Sequence, residues 1–224
     1  MSISFFNACK EATARSCVMS RIGGTRVLLE ELNAPYELRV LNMQAGEQRQ
    51  PAFLAINPMG KVPAIVRNGA LVTEQVAINI YLADLFPAAG LTPAIGDPLR
   101  GPYLRWMAFY AACFEPAVVD KAMKREPGPL PMSPYGTFET VIDMVNTQLR
   151  AAPYILGDAF TAADVLWGGA LGWTTQFGIV PKTPDRGLYP AHQQPPGLSA
   201  GQTAGCGTGR PAKTILTLER RMRH

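Results

Sequence analysis

Two short stretches hold residues whose types and spacing could do chemistry. Lys61-Val62-Pro63, inside N-P-M-G-K-V-P-A-I, sets a cation beside a proline at a strand start, and Glu74-Gln75, inside T-E-Q-V-A-I, opens a helix. The first N–H groups of a helix lack intrahelical partners and lie at the positive end of its dipole, so this second stretch suits an anion. Thiols are the other reactive groups. Cys9, Cys17, Cys113 and Cys206 form no C-x-x-C pair and no metal-like spacing, and both histidines, His192 and His224, stand in the last 33 residues. No metal site in the body and no disulfide framework is expected; reduced thiols fit best.

The elements that position these residues read clearly in the first third. Ile3 to Phe6 is a short apolar run suited to a buried strand. Arg26 to Asn33 sets Val27, Leu28, Leu29 and Leu32 at helical spacing, with Glu30 and Glu31 toward water. Tyr36 to Leu41 alternates as a strand, and Val62 to Val66 and Ala70 to Thr73 are two more, joined by Asn68-Gly69, a strong two-residue hairpin signal. Glu74 to Leu85 is then a helix with Ile78, Tyr81, Leu82 and Leu85 on one side. The order βαβ, loop, β-hairpin and helix predicts a thioredoxin-like α/β unit over residues 1–86.

Past Phe86 a Pro/Gly-rich connector, P-A-A-G-L-T-P-A-I-G, marks a boundary, and residues 98–185 read as all helical. Asp97-Pro98 and Ser133-Pro134 both look like an N-cap followed by proline in the first turn. The first of these helices carries Leu104, Phe109, Ala112 and Cys113 and is interrupted near Pro116; the second buries Phe138, Val141, Ile142, Val145 and Leu149. In G-D-A-F-T-A-A-D-V-L-W, Thr161 stands three residues before Asp164, ahead of an apolar run, and predicts a reciprocal capping box. Tyr103, Trp106, Tyr110 and Phe114 recur at helical spacing, a pattern that more often serves a core than a pocket wall.

Composition narrows the function. With 47% hydrophobic and 17% charged residues the chain is an ordinary globular protein. No apolar run approaches the roughly 18 residues of a membrane span, and the N-terminus shows no secretory pattern, so a cytoplasmic protein is expected. From Arg186 onward six basic residues oppose Glu219 alone; of the net +4, the tail accounts for +5 and the first 185 residues for −1. The body therefore carries no basic excess to favour nucleic acid.

Four segments in order, L-E-E-L-N-A-P-Y-E, N-P-M-G-K-V-P-A-I, T-E-Q-V-A-I-N-I-Y-L-A-D and L-G-D-A-F-T-A-A-D, resemble the bacterial-type cytosolic glutathione S-transferase family, over about 165 residues from Ser20 to Asp185. The resemblance implies the two-domain fold of that family, an α/β thioredoxin-like N-terminal domain and an all-α acceptor-substrate domain, in a homodimer. It implies glutathione as co-substrate, whose thiolate attacks a small electrophile in a detoxification reaction. A cis Pro63 would turn the Val62 backbone toward the cysteinyl amide, Glu74 would meet the γ-glutamyl ammonium, and residue 75 would give its N–H to the γ-glutamyl carboxylate. The family usually has Ser at 75, where this chain has Gln. Lys61 would steer the glycine carboxylate, and Tyr103, Trp106 and Tyr110 would line the acceptor pocket. Counting back without gaps assigns the thiol activator to Ser20, with Cys17 and then Ser16 and Cys9 behind it; N-A-C-K-E-A-T-A-R-S-C-V looks like an insertion beside it. A cysteine in that role would favour glutathione-dependent disulfide or peroxide reduction. A catalytically silent binding module is the third reading.

The tail departs from the family. Gly187 to Gly209 is Gly/Pro/Gln/Ala-rich and aperiodic where a terminal helix belongs. Read one nucleotide downstream, the permitted codons of Gly187 to Gly201 allow A-Y-I-R-R-I-S-S-R-P-A-F-Q-R-A, which resembles that helix. The hypothesis is that residues 186–224 are translated out of frame. Sequencing the gene tests it: Leu188 is expected as TTA or CTA, and any other leucine codon removes the matching tyrosine.

Overall fold

The computed structural model describes residues 3–9, 23–125 and 128–181. β1 (Ile3–Cys9) is the second strand of a four-stranded sheet ordered β2-β1-β3-β4, with β2 (Tyr36–Asn42), β3 (Ala64–Arg67) and β4 (Ala70–Thr73). β2 runs parallel to β1, with Phe5 opposite Leu38, because α1 (Gly23–Glu31) supplies the crossover. β3 and β4 are antiparallel, and Asn68 and Gly69 take φ of 51° and 81° at the hairpin turn that their sequence predicts. β1 extends three residues past Phe6, since its backbone stays paired with β2 as far as Asn42.

Alternation along β1 divides the apolar residues between two faces. Ile3 and Phe5 join the main core with Leu28, Leu29, Leu32 and Ile65, whereas Phe6 packs with Leu41, Ala64 and Phe53 of the short α2 (Pro51–Leu54). α3 (Gln75–Leu85) follows β4 and buries Ile78, Asn79, Leu82 and Ala83.

The helical half continues with α4 (Arg100–Phe109), α5 (Glu115–Ala122), α6 (Phe138–Ala151) and α7 (Ala162–Gln176). The interruption expected near Pro116 takes the form of a change in helix type, not a chain break. A π-helical turn over Tyr110–Phe114 bridges α4 and α5, absorbing the residue that has no N–H to give to the previous turn. The buried stripe also differs from the expected one. Leu104 is 38% exposed, while Tyr103, Trp106, Met107, Tyr110 and Phe114 lie between 0% and 5%. Their spacing puts far more aromatic area on that face, and burial follows area.

The capping signals resolve unequally. Asp97 accepts the Leu99 N–H at 2.7 Å, one turn ahead of α4. Ser133 does not cap α6: its hydroxyl donates to the Gly136 carbonyl at 3.0 Å, and Thr137 takes the Thr140 N–H at 3.1 Å. The Thr161–Asp164 capping box forms as predicted. No helix among the described residues is long and apolar enough to cross a membrane.

One ion pair ties the helical half to the sheet half. Arg100 Nη1 and Nη2 each donate to an Asp84 carboxylate oxygen at 2.7 Å, and Nη1 also reaches Thr92 Oγ1 at 2.7 Å and the Pro93 carbonyl at 3.1 Å. These bonds hold the Asp84 carboxyl below its ordinary pKa. A depressed folded pKa gives stability that is present above the unfolded value, about 3.9, and is lost as pH falls through the folded one. The Asp84 side chain is 39% exposed, so solvent screening limits the pair to about 1 kcal/mol. Asp84→Asn is therefore expected to lose about that much in urea unfolding at pH 7 and progressively less as the pH falls into the acid range. A gap that persists in acid would show that charge is not the cause.

Candidate functional site

Hairpin register brings the two candidate stretches together. Ala64 pairs with Thr73 in the β3–β4 ladder, so Pro63 and Glu74, the next residue out on each strand, stand side by side. Phe6 pairs with Ala64, so the last residues of β1 run out at the same end of the sheet. The Val62–Pro63 peptide bond is cis. Lys61 and Glu74 are exposed there, and Val62, Pro63 and Gln75 are partly buried.

Asn57 shapes the loop that reaches Pro63. Its side chain is 4% exposed; Nδ2 donates to the Lys61 carbonyl at 2.8 Å and Oδ1 accepts the Met59 N–H at 3.2 Å. The Gly60 N–H closes the turn on the Asn57 carbonyl at 2.8 Å. Motif reading passed over this role, although Asn-Pro is a recognised turn initiator. Gly60 has φ +59°, and a Cβ there would sit 2.7 Å from the Gln48 carbonyl oxygen, so only glycine fits without a shift.

Glu74 is the residue immediately before α3, at φ 62° and ψ 117°, a left-handed value uncommon for a side-chain-bearing residue. Its carbonyl accepts the Ile78 N–H at 2.9 Å, which starts the helix ladder. The next amides, from Gln75, belong to a first turn with no acidic residue. This end of the sheet thus offers helix N–H groups, an exposed carboxylate and an exposed ammonium within a few residues, suited to a ligand bearing both anionic and cationic groups.

Two sets of predicted residues fall elsewhere. Tyr103, Trp106 and Tyr110 are 0%, 4% and 5% exposed, packed into the core of the helical half. The Trp106, Tyr110 and Phe114 rings surround Trp167 at centroid distances of 5.7, 5.5 and 4.9 Å, and the Trp167 indole donates to the Trp106 carbonyl at 3.2 Å. Burial pushes the Tyr103 phenol up to about 12, so it stays neutral at any ordinary assay pH. Phe109 is partly exposed, with the Arg105 guanidinium 5.2 Å from its ring. Cys17 and Ser20, with Ser16, lie outside the described residues, as does the tail from Arg186. Among the described residues no group of three or more His, Cys, Asp or Glu is placed to hold a metal ion.

The chain is similar to known proteins in sequence and in fold. Residues 16–84 match the family described as glutathione S-transferase, N-terminal domain. A glutathione S-transferase of Hyoscyamus muticus is 28% identical over 157 residues, 65% of this chain and 73% of its own. One from Xanthomonas campestris is 29% identical over 152 residues, 65% of this chain and 74% of its own. Among solved structures, a glutathione transferase homologue from Sulfitobacter with bound glutathione superposes with TM-score 0.60 at 22% identity, covering 85% of this chain and 96% of that one. A glutathione transferase from Phanerochaete chrysosporium, in complex with oxidised glutathione, gives TM-score 0.64 at 22% identity, covering 85% and 86%. At such identity the structures speak for the fold, a thioredoxin-like α/β half followed by an all-α half. Together, the matched N-terminal domain, the sequence relatives and that fold make glutathione S-transferases the proteins this chain is similar to.

Proposed function

We propose that this chain is a glutathione transferase, in which the thiolate of bound glutathione attacks a small electrophile. The observation that carries the reading is the hairpin register that sets Pro63 beside Glu74, so one end of the sheet can hold a zwitterionic peptide. Relatives named as glutathione S-transferases, and a fold neighbour described with bound glutathione, support it. On this reading residues 1–86 hold glutathione and residues 98–185 face the acceptor. Val62 offers backbone N–H and C=O to the cysteinyl amide, Glu74 its carboxylate to the γ-glutamyl ammonium, and the first turn of α3 its N–H groups to the γ-glutamyl carboxylate. Lys61 attracts the glycine carboxylate. Ser20, with Cys17 as the alternative, donates to the sulfur and stabilises the thiolate. A homodimer in the cytoplasm and a role in detoxification complete the reading; gel filtration checks the first.

Retention on immobilised glutathione, followed by conjugation of 1-chloro-2,4-dinitrobenzene, tests the activity. Wild type is expected to be retained and to conjugate; failure of both sinks the reading. Glu74→Ala is expected to weaken glutathione binding about tenfold, because one charge-assisted contact at an exposed rim contributes about 1.4 kcal/mol. Calorimetric titration measures it, and an unchanged Kd removes Glu74 from the site.

A further inference from the structure

The face of α3 turned toward α1 carries two carboxamides where apolar side chains would pack more simply. Gln75 and Asn79 are one helical turn apart, hence on one side of α3. Asn79 and Thr25 are both fully buried, and the Thr25 hydroxyl donates to Asn79 Oδ1 at 3.4 Å. Asn79 Nδ2 is buried without a hydrogen-bond partner. Exchanging the amide oxygen and nitrogen would only move the unpaired atom to the other side of the group. One turn back, Gln75 Nε2 rests over the first turn of α1: a Cβ built on Gly24 would lie 3.0 Å from it. Gly24 also approaches α7, its Cα being 3.9 Å from a Cβ built on Gly169. The first turn of α1 therefore packs against both α7 and the two amide side chains of α3.

A half-satisfied buried carboxamide destabilises a fold relative to a leucine of similar size. What it supplies instead is direction, because its contact with Thr25 sets the rotation of α1 as well as its distance. Gln75 has a matching effect. The serine usual in the family at this position would be too short to reach Gly24, whereas the longer amide does reach it.

We propose that Gln75 and Asn79 are positioning residues that set the place and rotation of the first turn of α1, and through its positive end the acidity of the bound thiol. The thiol clause rests on the glutathione-transferase reading; the placement clause does not. Gln75 then contributes through its side chain as well as its backbone N–H.

The test uses the full chain with Asn79→Leu, Gln75→Ser, Gly24→Ala and the Gly24→Ala/Gln75→Ser double variant. Amide hydrogen exchange at Val27 to Leu29 is expected to speed up about tenfold in Asn79→Leu and Gln75→Ser, while exchange in α6 stays unchanged. The pH midpoint of kcat/KM for glutathione is expected to rise by about half a unit, with KM for 1-chloro-2,4-dinitrobenzene unmoved. Gly24→Ala displaces the Gln75 amide and should reproduce the Gln75→Ser shift, and the double variant should add nothing to either. Unchanged exchange at Val27 to Leu29, or additive shifts in the double variant, overturns the proposal. If Asn79→Leu fails to fold, Gln75→Ser at the partly exposed end of the seam carries the same readouts. If wild type neither binds glutathione nor conjugates, the functional reading falls with the thiol clause, and exchange alone decides the placement of α1.

Discussion

Asp164→Ala should cost most of the stability of the folded chain, about 4–6 kcal/mol. The carboxylate is 1% exposed and collects three donors: the Ile155 N–H at 2.8 Å, the Thr161 N–H at 2.8 Å and the Thr161 hydroxyl at 2.9 Å. Ile155 and Thr161 are themselves buried, so alanine leaves two backbone N–H groups without acceptors in a dry site. Each costs about 1–3 kcal/mol, and loss of the cap on α7 adds about 1 kcal/mol. Since a domain of this size is stable by about 5–15 kcal/mol, the variant is expected to be largely unfolded at 37 °C. Asp164→Asn keeps one acceptor oxygen and should lose roughly half as much. Urea unfolding followed by circular dichroism measures both, and a loss under about 1 kcal/mol for alanine would falsify the account.

Gly60→Ala is expected to lower stability by about 3 kcal/mol and to abolish retention on glutathione. Two penalties combine. At φ +59° any side chain is strained, and the new Cβ would also meet the Gln48 carbonyl oxygen at 2.7 Å and Leu54 Cδ2 at 3.2 Å. The carbonyl belongs to the backbone and cannot rotate away, so the loop from Asn57 to Lys61 must move, taking Val62 and Pro63 with it. Gly69→Ala is the control. Gly69 has φ +81° but nothing within 4 Å of its Cβ position, so it carries the conformational penalty alone, about 1 kcal/mol. Thermal melts of the two variants should differ by about 4–8 °C. Equal melting temperatures would mean that the Gln48 contact has no energetic weight.

Local chemistry explains what was legible in the sequence. Asn68-Gly69 gives a turn because both residues tolerate positive φ, and Thr161 to Asp164 gives a cap because its hydrogen bonds span three residues. Pro116 was read as an interruption because its missing N–H is a local fact, whereas the π turn that accommodates it depends on how the surrounding helices pack. Ser133 and Thr137 compete as caps over four residues, and the Gly136 turn settles the choice for Thr137. For the candidate site, Lys61 to Pro63 and Glu74 to Gln75 were found by motif, and their adjacency is a property of hairpin register. The Thr25–Asn79 contact spans 54 residues, and no periodicity in a single segment encodes such a pairing. The burial of Trp106 and Tyr110 likewise depends on Trp167, far along the chain.

The π turn at Tyr110–Phe114 makes one rod of Arg100 to Ala122, about 33 Å long at helical rise. Its near end is pinned to Asp84 of the sheet half, and beside its far end Asp120 accepts the Tyr135 hydroxyl at 2.7 Å. Pinned in this way, the rod is a lever. A tilt of about 5° at Arg100 carries the far end through about 3 Å, the span of one hydrogen bond. A small reorientation of the two halves would thus be magnified where Asp120 meets the segment before α6.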